Sequence, residues 1–206
     1  MPAPAETFKI FISHSTIPDG ELANWIADSL DIIHIRAFVY QRYQMGGQNR
    51  FDIIKSMIKQ CRHFLAILTK DGIASQWVNQ EIGYSIAIGR NPIPIFEVDP
   101  FTKTVIQSKG FVELNDPIPY NKGDKIRLMA QIIYTLWNLS LQNKSWRDLI
   151  HLSCKCGNEF EGKLQIGRWW KQYVKNPKPF SIAWPCDKCK NKIEVSFPDC
   201  HLITTI

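Results

Sequence analysis

The strongest constraint on this chain is an alternation. Short, almost continuous apolar runs at 8–13, 37–40, 63–69 and 91–98 are separated by segments whose apolar residues recur every three or four positions. Runs without polar alternation read as strands buried on both faces. Between them, Leu22, Trp25, Ile26, Leu30 and Ile33 predict a helix over 20–33, and Phe51, Ile54, Ile58 and Cys61 predict a second. A third is predicted over 76–89, and Ile126, Met129, Ile133, Leu136 and Trp137 mark a last one over 123–140. Strand followed by helix, repeated, packs as a parallel sheet with helices on both faces. The prolines at 92 and 94 bias the start of the fourth strand rather than its middle. Residues 111–114 are the candidate fifth strand. The expected fold is therefore a doubly wound α/β sheet, with its site at the C-terminal ends of the strands.

Charge and cysteine are not spread evenly along the 206 residues. Residues 1–150 hold 16 Lys and Arg against 14 acids, while 151–206 hold 9 against 5; five of the six cysteines lie from Cys154 onward. Two modules follow, 1–142 and 151–206, with a linker at 143–150. No run approaches the roughly 18 apolar residues of a membrane span, and the first residues lack the basic and apolar regions of a signal peptide. A soluble, cytoplasmic protein without membrane contact is expected.

The stretch Ser75-Gln76-Trp77-Val78-Asn79-Gln80-Glu81 opens the third helix directly after the run at 63–69. Asp71, Gly72 and Ser75 supply turn and cap chemistry between them. Trp77 and Glu81 are four apart and share a helical face, with Tyr84 and Ser85 following on that side. A carboxylate beside an indole, at the C-terminal end of a strand, stands where open α/β sheets hold ligands. The plain alternative is an ordinary solvent-facing helical Glu.

Three boxes then carry a family resemblance. Phe8-Lys9-Ile10-Phe11-Ile12-Ser13-His14-Ser15 resembles the first signature box of Toll/interleukin-1 receptor (TIR) domains in its prokaryotic form. The Gly46-Gly47 loop lies where that family has its long loop after the second strand, and Ser75-x-Trp77-x-x-x-Glu81 is similar to its Trp-x-x-x-Glu motif. The resemblance spans about 8–140. It implies a flavodoxin-like sheet of five parallel strands and, for members with this Glu, NAD glycohydrolase or ADP-ribosyl cyclase activity in prokaryotic immune defence against phage. Lys9 stands where many eukaryotic adaptor members carry Asp, which moves the reading away from a Toll-type adaptor. The rival reading is a non-catalytic assembly module that recruits other TIR domains.

The chemistry asks little of a protein acid. The nicotinamide leaving group is already a cation, so nothing need protonate it, and the barrier lies in the positive charge that develops on the ribose. Glu81 is the candidate that stabilises this charge. Ser13, His14 and Ser15, at the mouth of the first strand, are candidates for ribose or phosphate contacts, or else a polar cap for the helix that follows. Tyr43, Met45 and Gly46 are candidates for a lid over the substrate, and the resemblance implies that this loop docks on a neighbouring copy. Trp77 walls the nicotinamide or anchors its helix. With no Gly-x-Gly-x-x-Gly, NAD is expected as a consumed substrate rather than a redox cofactor.

In the second module, Cys154-Lys155-Cys156 and Cys186-Asp187-Lys188-Cys189 form two close pairs. Four thiolates so arranged suit tetrahedral zinc, and the alternating stretches 159–164, 180–184 and 192–197 read as strands. The expectation is a zinc ribbon with a closed, structural Zn2+ site, since some fifty residues alone make a marginal core. Basic residues interleave with Trp169, Trp170 and Tyr173 over 168–178. A small core or a protein partner accounts for this better than nucleic acid, because the excess charge is modest.

Overall fold

The computed structural model describes residues 9–15, 19–32, 35–43, 49–104, 117–142, 149–163, 180–197 and 202–204. The chain divides into two units, residues 1–31 with 35–122, and 32–34 with 123–206.

In the first unit the apolar runs form β1 (Ile10–Ser13), β2 (Ala37–Phe38), β3 (His63–Leu68) and β4 (Pro92–Glu97), and β5 is Ile118–Tyr120. All pair in parallel in the order β2-β1-β3-β4-β5. The helices that flank them include α1 (Asp19–Ile32), α2 (Arg50–Gln60), the single turn α3 (Lys70–Ala74) and α4 (Gln76–Ala87). This is the flavodoxin-like order, whose topological switch lies between β1 and β3, where such sheets open a crevice.

The pleat explains the core. Phe64, Ala66 and Leu68 face one side of β3 and join Phe11, Phe38 and Phe96 under Ile54 and Ile58 of α2 and Val78 and Ile82 of α4. Phe11 stacks on Phe64 with centroids 5.4 Å apart and on Phe38 at 5.6 Å. Ile10, Ile12, Leu65, Ile67 and Ile95 take the opposite face and are as fully buried. The expectation of strands covered on both sides therefore holds.

Three local departures have physical causes. The second run stops pairing at Phe38, and Tyr40–Tyr43 winds into a 3-10 turn tied to α1, with Arg42 donating to Asn24 and pairing with Asp28 at 2.8 Å. The fifth strand comes from Ile118–Tyr120, while 111–114 lies outside the described residues. Pro119 is tolerated in β5 because that strand is an edge. The turn expected at 71–75 contains α3, capped by Thr69 Oγ1, which accepts from the Gly72 N–H. Pro94 sits where β4 is paired only on the β3 side, since β5 joins from Ile95 onward.

The second unit contains α5 (Lys125–Gln142), β6 (Leu149–Ser153), β7 (Glu159–Lys163), β8 (Phe180–Pro185), β9 (Lys192–Phe197) and β10 (Leu202–Thr204). β6 and β7 form an antiparallel hairpin, and β8, β9 and β10 form an antiparallel sheet. Gly162 permits a close approach: a Cβ there would lie 2.9 Å from both Leu152 Cδ1 and Trp184 Nε1. This small cysteine-rich β region is consistent with a zinc ribbon. No helix among the described residues is long and apolar enough to cross a membrane.

Candidate functional site

Ser75 caps α4, its hydroxyl accepting from the Val78 N–H at 3.3 Å, and sets the phase of the helix. That phase turns Glu81 toward Ser13 at the C-terminal end of β1 and Trp77, one turn earlier, toward Arg50 and Phe51 of α2. Glu81 is only 6% exposed. Its carboxylate accepts the Ser13 hydroxyl at 2.5 Å and the Trp77 indole N–H. Burial pushes its pKa up to about 7, against the pull of the hydrogen bonds from Ser13 and Trp77 and of the Arg50 charge. A cavity of about 270 Å³ opens beside it between α2 and α4. Phe51, Ile54, Ile58, Trp77 and Tyr84 wall that cavity, so Glu81 is a carboxyl at the edge of an apolar recess. The solvent-facing alternative for Glu81 does not describe this geometry.

Of the three residues at the end of β1, Ser13 alone meets Glu81. His14 places Nδ1 2.5 Å from the Ser15 carbonyl and Nε2 2.7 Å from Gln41 Oε1. Both ring nitrogens are thus engaged with the protein. The Ser15 hydroxyl donates to Asp19 Oδ2 at 2.5 Å, and Thr69 Oγ1 lies 2.8–2.9 Å from both Asp19 oxygens. Asp19 thus ties the start of α1 to Ser15 after β1 and to Thr69 at the end of β3. Tyr43 ends the 3-10 turn, but its side chain, Met45 and Gly46 lie outside the described residues.

Several residues of the site carried no sequence signal. Arg50, at the start of α2, holds its guanidinium over Trp77 and over Tyr40, 4.5 Å and 4.7 Å from the ring centroids. Asp19 and Thr69 form the buried brace just described. Glu97, at the end of β4, pairs with Lys122 at 2.9 Å and accepts the Lys70 N–H. Beside it the Tyr120 phenol is pushed up, by burial first and then by Glu97 and Asp19, against the pull of Lys122. Asp19 at position i+4 from Ser15 was the one local hint; the other contacts join segments far apart in the chain.

The second unit brings its four predicted cysteines together. Cys154 and Cys156 lie in the β6–β7 turn, and Cys186 and Cys189 in the β8–β9 turn. Their sulfurs all lie within 4.8 Å of one another, with Cys154 to Cys189 at 3.5 Å and Cys156 to Cys186 at 3.7 Å. A disulfide needs about 2.05 Å. Four sulfurs each about 2.3 Å from a tetrahedral zinc stand about 3.8 Å apart, so the donor set fits a metal. Each turn follows one plan: the Cys154 N–H donates to Asn158 O and the Cys186 N–H to Asn191 O, both at 2.8 Å. Within the cluster the backbone N–H groups of Cys189 and Lys188 draw the Cys186 thiol below its usual range, while the Cys154 thiol, against the pull of the Cys156 backbone N–H, is pushed up by burial and the neighbouring sulfurs. Cys61 stands apart, buried among apolar side chains with its thiol pushed up to about 12 by burial.

The family model described as TIR domain matches residues 10–127. Among solved structures, the chain is similar to the TIR domain of the Toll-related receptor TRR-2 from the lower metazoan Hydra magnipapillata. The identity is 17%, with 66% of this chain and 98% of that chain covered and a TM-score of 0.49. No curated protein matches the chain.

Proposed function

The chain belongs to the TIR-domain family, and from that premise we propose that its first unit cleaves NAD at the nicotinamide–ribose bond, with Glu81 as the catalytic carboxylate. The observation that carries this reading is a Glu held at the mouth of the sheet by Ser13 and Trp77 and opening on an apolar recess. The bond to be broken joins ribose C1′ to a pyridinium nitrogen. Its electron pair leaves with the ring, so nicotinamide departs neutral and C1′ is left electron-poor. A fixed carboxylate beside the ribose stabilises that charge more in the transition state than in the ground state. Water, or an internal nucleophile of the same molecule, then completes C1′ and releases a proton.

The ionised form of Glu81 is the useful one. With a pKa of about 7, a substantial fraction is charged at neutral pH. The Ser13 hydroxyl, the Trp77 indole and Arg50 stabilise this charge, while the recess shields it from water. An apolar pocket of about 270 Å³ is at the small end for ligand sites and suits one ring with its sugar rather than a whole dinucleotide. The remainder of NAD, in this reading, is held by the loop at 43–48 and by a second TIR domain in a homotypic assembly.

The four-Cys centre is proposed to bind structural Zn2+ and to stabilise a ribbon that docks a protein partner. A prokaryotic, cytoplasmic role in immune signalling against phage completes the proposal. Mixing concentrated protein with NAD and measuring nicotinamide release tests it, since hydrolysis, cyclisation and base exchange all free nicotinamide. Release that disappears in Glu81→Gln supports the reading, and release unchanged by that substitution overturns it. The rival assembly role draws on the same Ser13–Glu81 bond, which also braces α4 to β1. That role predicts self-association without turnover.

A further inference from the structure

Arg50 is exposed at the start of α2, yet its guanidinium is bracketed by two aromatic faces, Tyr40 at 4.7 Å and Trp77 at 4.5 Å. Trp77 donates to Glu81, and the Arg50 charge acts on the same carboxyl. Two π faces around one planar cation, with a carboxylate feeling its charge from beyond ion-pair distance, are the elements of a cation receptor. Trp77 and Glu81 also line the recess beside α4. Lys55 lies in the same recess, 4.0 Å from the Phe51 centroid and 5.7 Å from that of Tyr84, so aromatic faces around this cavity already hold protein cations.

The NAD reading, on which this inference rests, brings to the same place a second flat cation, the pyridinium ring of the substrate. It matches the guanidinium in charge and planarity. We propose that Arg50 is a resident occupant of the cation-recognition position formed by Tyr40, Trp77 and Glu81, and that the pyridinium ring of the substrate displaces it on binding. An exposed side chain rotates away in picoseconds to nanoseconds. Displacement therefore raises the substrate concentration needed. It also selects: a neutral ring gains too little from the rings and the carboxylate to expel an arginine, whereas a cationic ring replaces like with like. Arg50 is thus a specificity residue that weakens binding in general and weakens it most for uncharged bases.

The test uses the full chain, wild type and with Arg50→Gln or Arg50→Ala, at about pH 8.5 so that Glu81 stays ionised. The probe is 1-methylnicotinamide, methylated on the ring nitrogen and so a pyridinium cation without ribose and without a bond to cleave, titrated by calorimetry alongside steady-state kinetics with NAD. Both variants are expected to bind the probe about ten-fold more tightly. Their KM for NAD is expected to fall by a similar factor. Added guanidinium ion, well below denaturing concentrations, should restore weak probe binding in the variants. Probe affinity that is unchanged or weaker in both variants, or a raised KM, overturns the proposal and makes Arg50 a direct substrate contact or a helix-start residue. Tighter probe binding with no cleavage of NAD by any form upholds the receptor and rejects the hydrolytic reading, so the two failures are distinct.

Discussion

Ser13 and Glu81 meet across 68 residues of sequence, the serine hydroxyl donating to the carboxylate at 2.5 Å. One residue ends β1 and the other lies in the second turn of α4. Their bond joins the sheet to the helix and holds a carboxyl where water is scarce.

Removing that donor should be felt in titration before anything else. A hydrogen bond to the ionised form favours it, so Ser13→Ala raises the Glu81 pKa above about 7. The rising limb of the nicotinamide-release profile is expected to move to higher pH. Stability should fall by about 1–3 kcal/mol in alkaline buffer, where the carboxylate loses a buried partner. The loss should be smaller near pH 5, where Glu81 is protonated. Urea melts at both pH values check the contrast.

Glu81 itself should cost the fold stability. Its folded pKa of about 7 lies above the ordinary 4.5, so between those values the unfolded chain binds fewer protons than the folded one. This contribution to stability is fully present below 4.5 and is lost as pH rises through about 7. Glu81→Gln is therefore expected to match wild type near pH 4 and to exceed it by about 3 kcal/mol near pH 8, while losing NAD cleavage. Thermal melts of both proteins across this range read it directly, and equal melting curves at pH 8 would refute the buried-carboxylate account.

Gly72 sits in the single turn α3, where a Cβ would stand 2.3 Å from the Ile67 carbonyl oxygen and 3.3 Å from Asp19 Oδ2. The first neighbour is backbone and cannot step aside. Gly72→Ala is expected to destabilise the protein by about 2–3 kcal/mol, measured by urea unfolding. Gly83→Ala is the comparison, because nothing lies within 4 Å of a Cβ at that position. That exposed helical site should be neutral or gain slightly from the better helix former.

Metal analysis of the purified chain should return one zinc per molecule, falling toward zero in Cys186→Ser. Chelation at neutral pH should free the four thiols of the cluster to a thiol reagent. Cys61 should stay unreactive until the protein unfolds, since its thiol is buried and pushed up to about 12. A metal-free protein whose four cysteines are already modified at the rate of free thiols would dismiss the ribbon site.

Much of this was written locally. Apolar runs and helical spacing predicted the parallel α/β class because backbone periodicity repeats within a few residues. The Trp77–Glu81 face followed from a spacing of four, and the two cysteine pairs lay within single turns. What escaped was too short or out of character: α3 is one turn, and β5 carries Pro119, which only an edge position tolerates.

Sequence alone therefore determined where the longer strands and helices lie, which side chains share a face, and which thiols can act in pairs. These depend on bond geometry and neighbours in the chain. Tertiary structure alone decided the strand order, the choice of Ser13 rather than His14 or Ser15 as the partner of Glu81, and the stacking of Arg50 between Tyr40 and Trp77. It also decided the proton affinity of Glu81. Burial and long-range contact are properties of the space around a group, and that space exists only once distant segments have closed upon it.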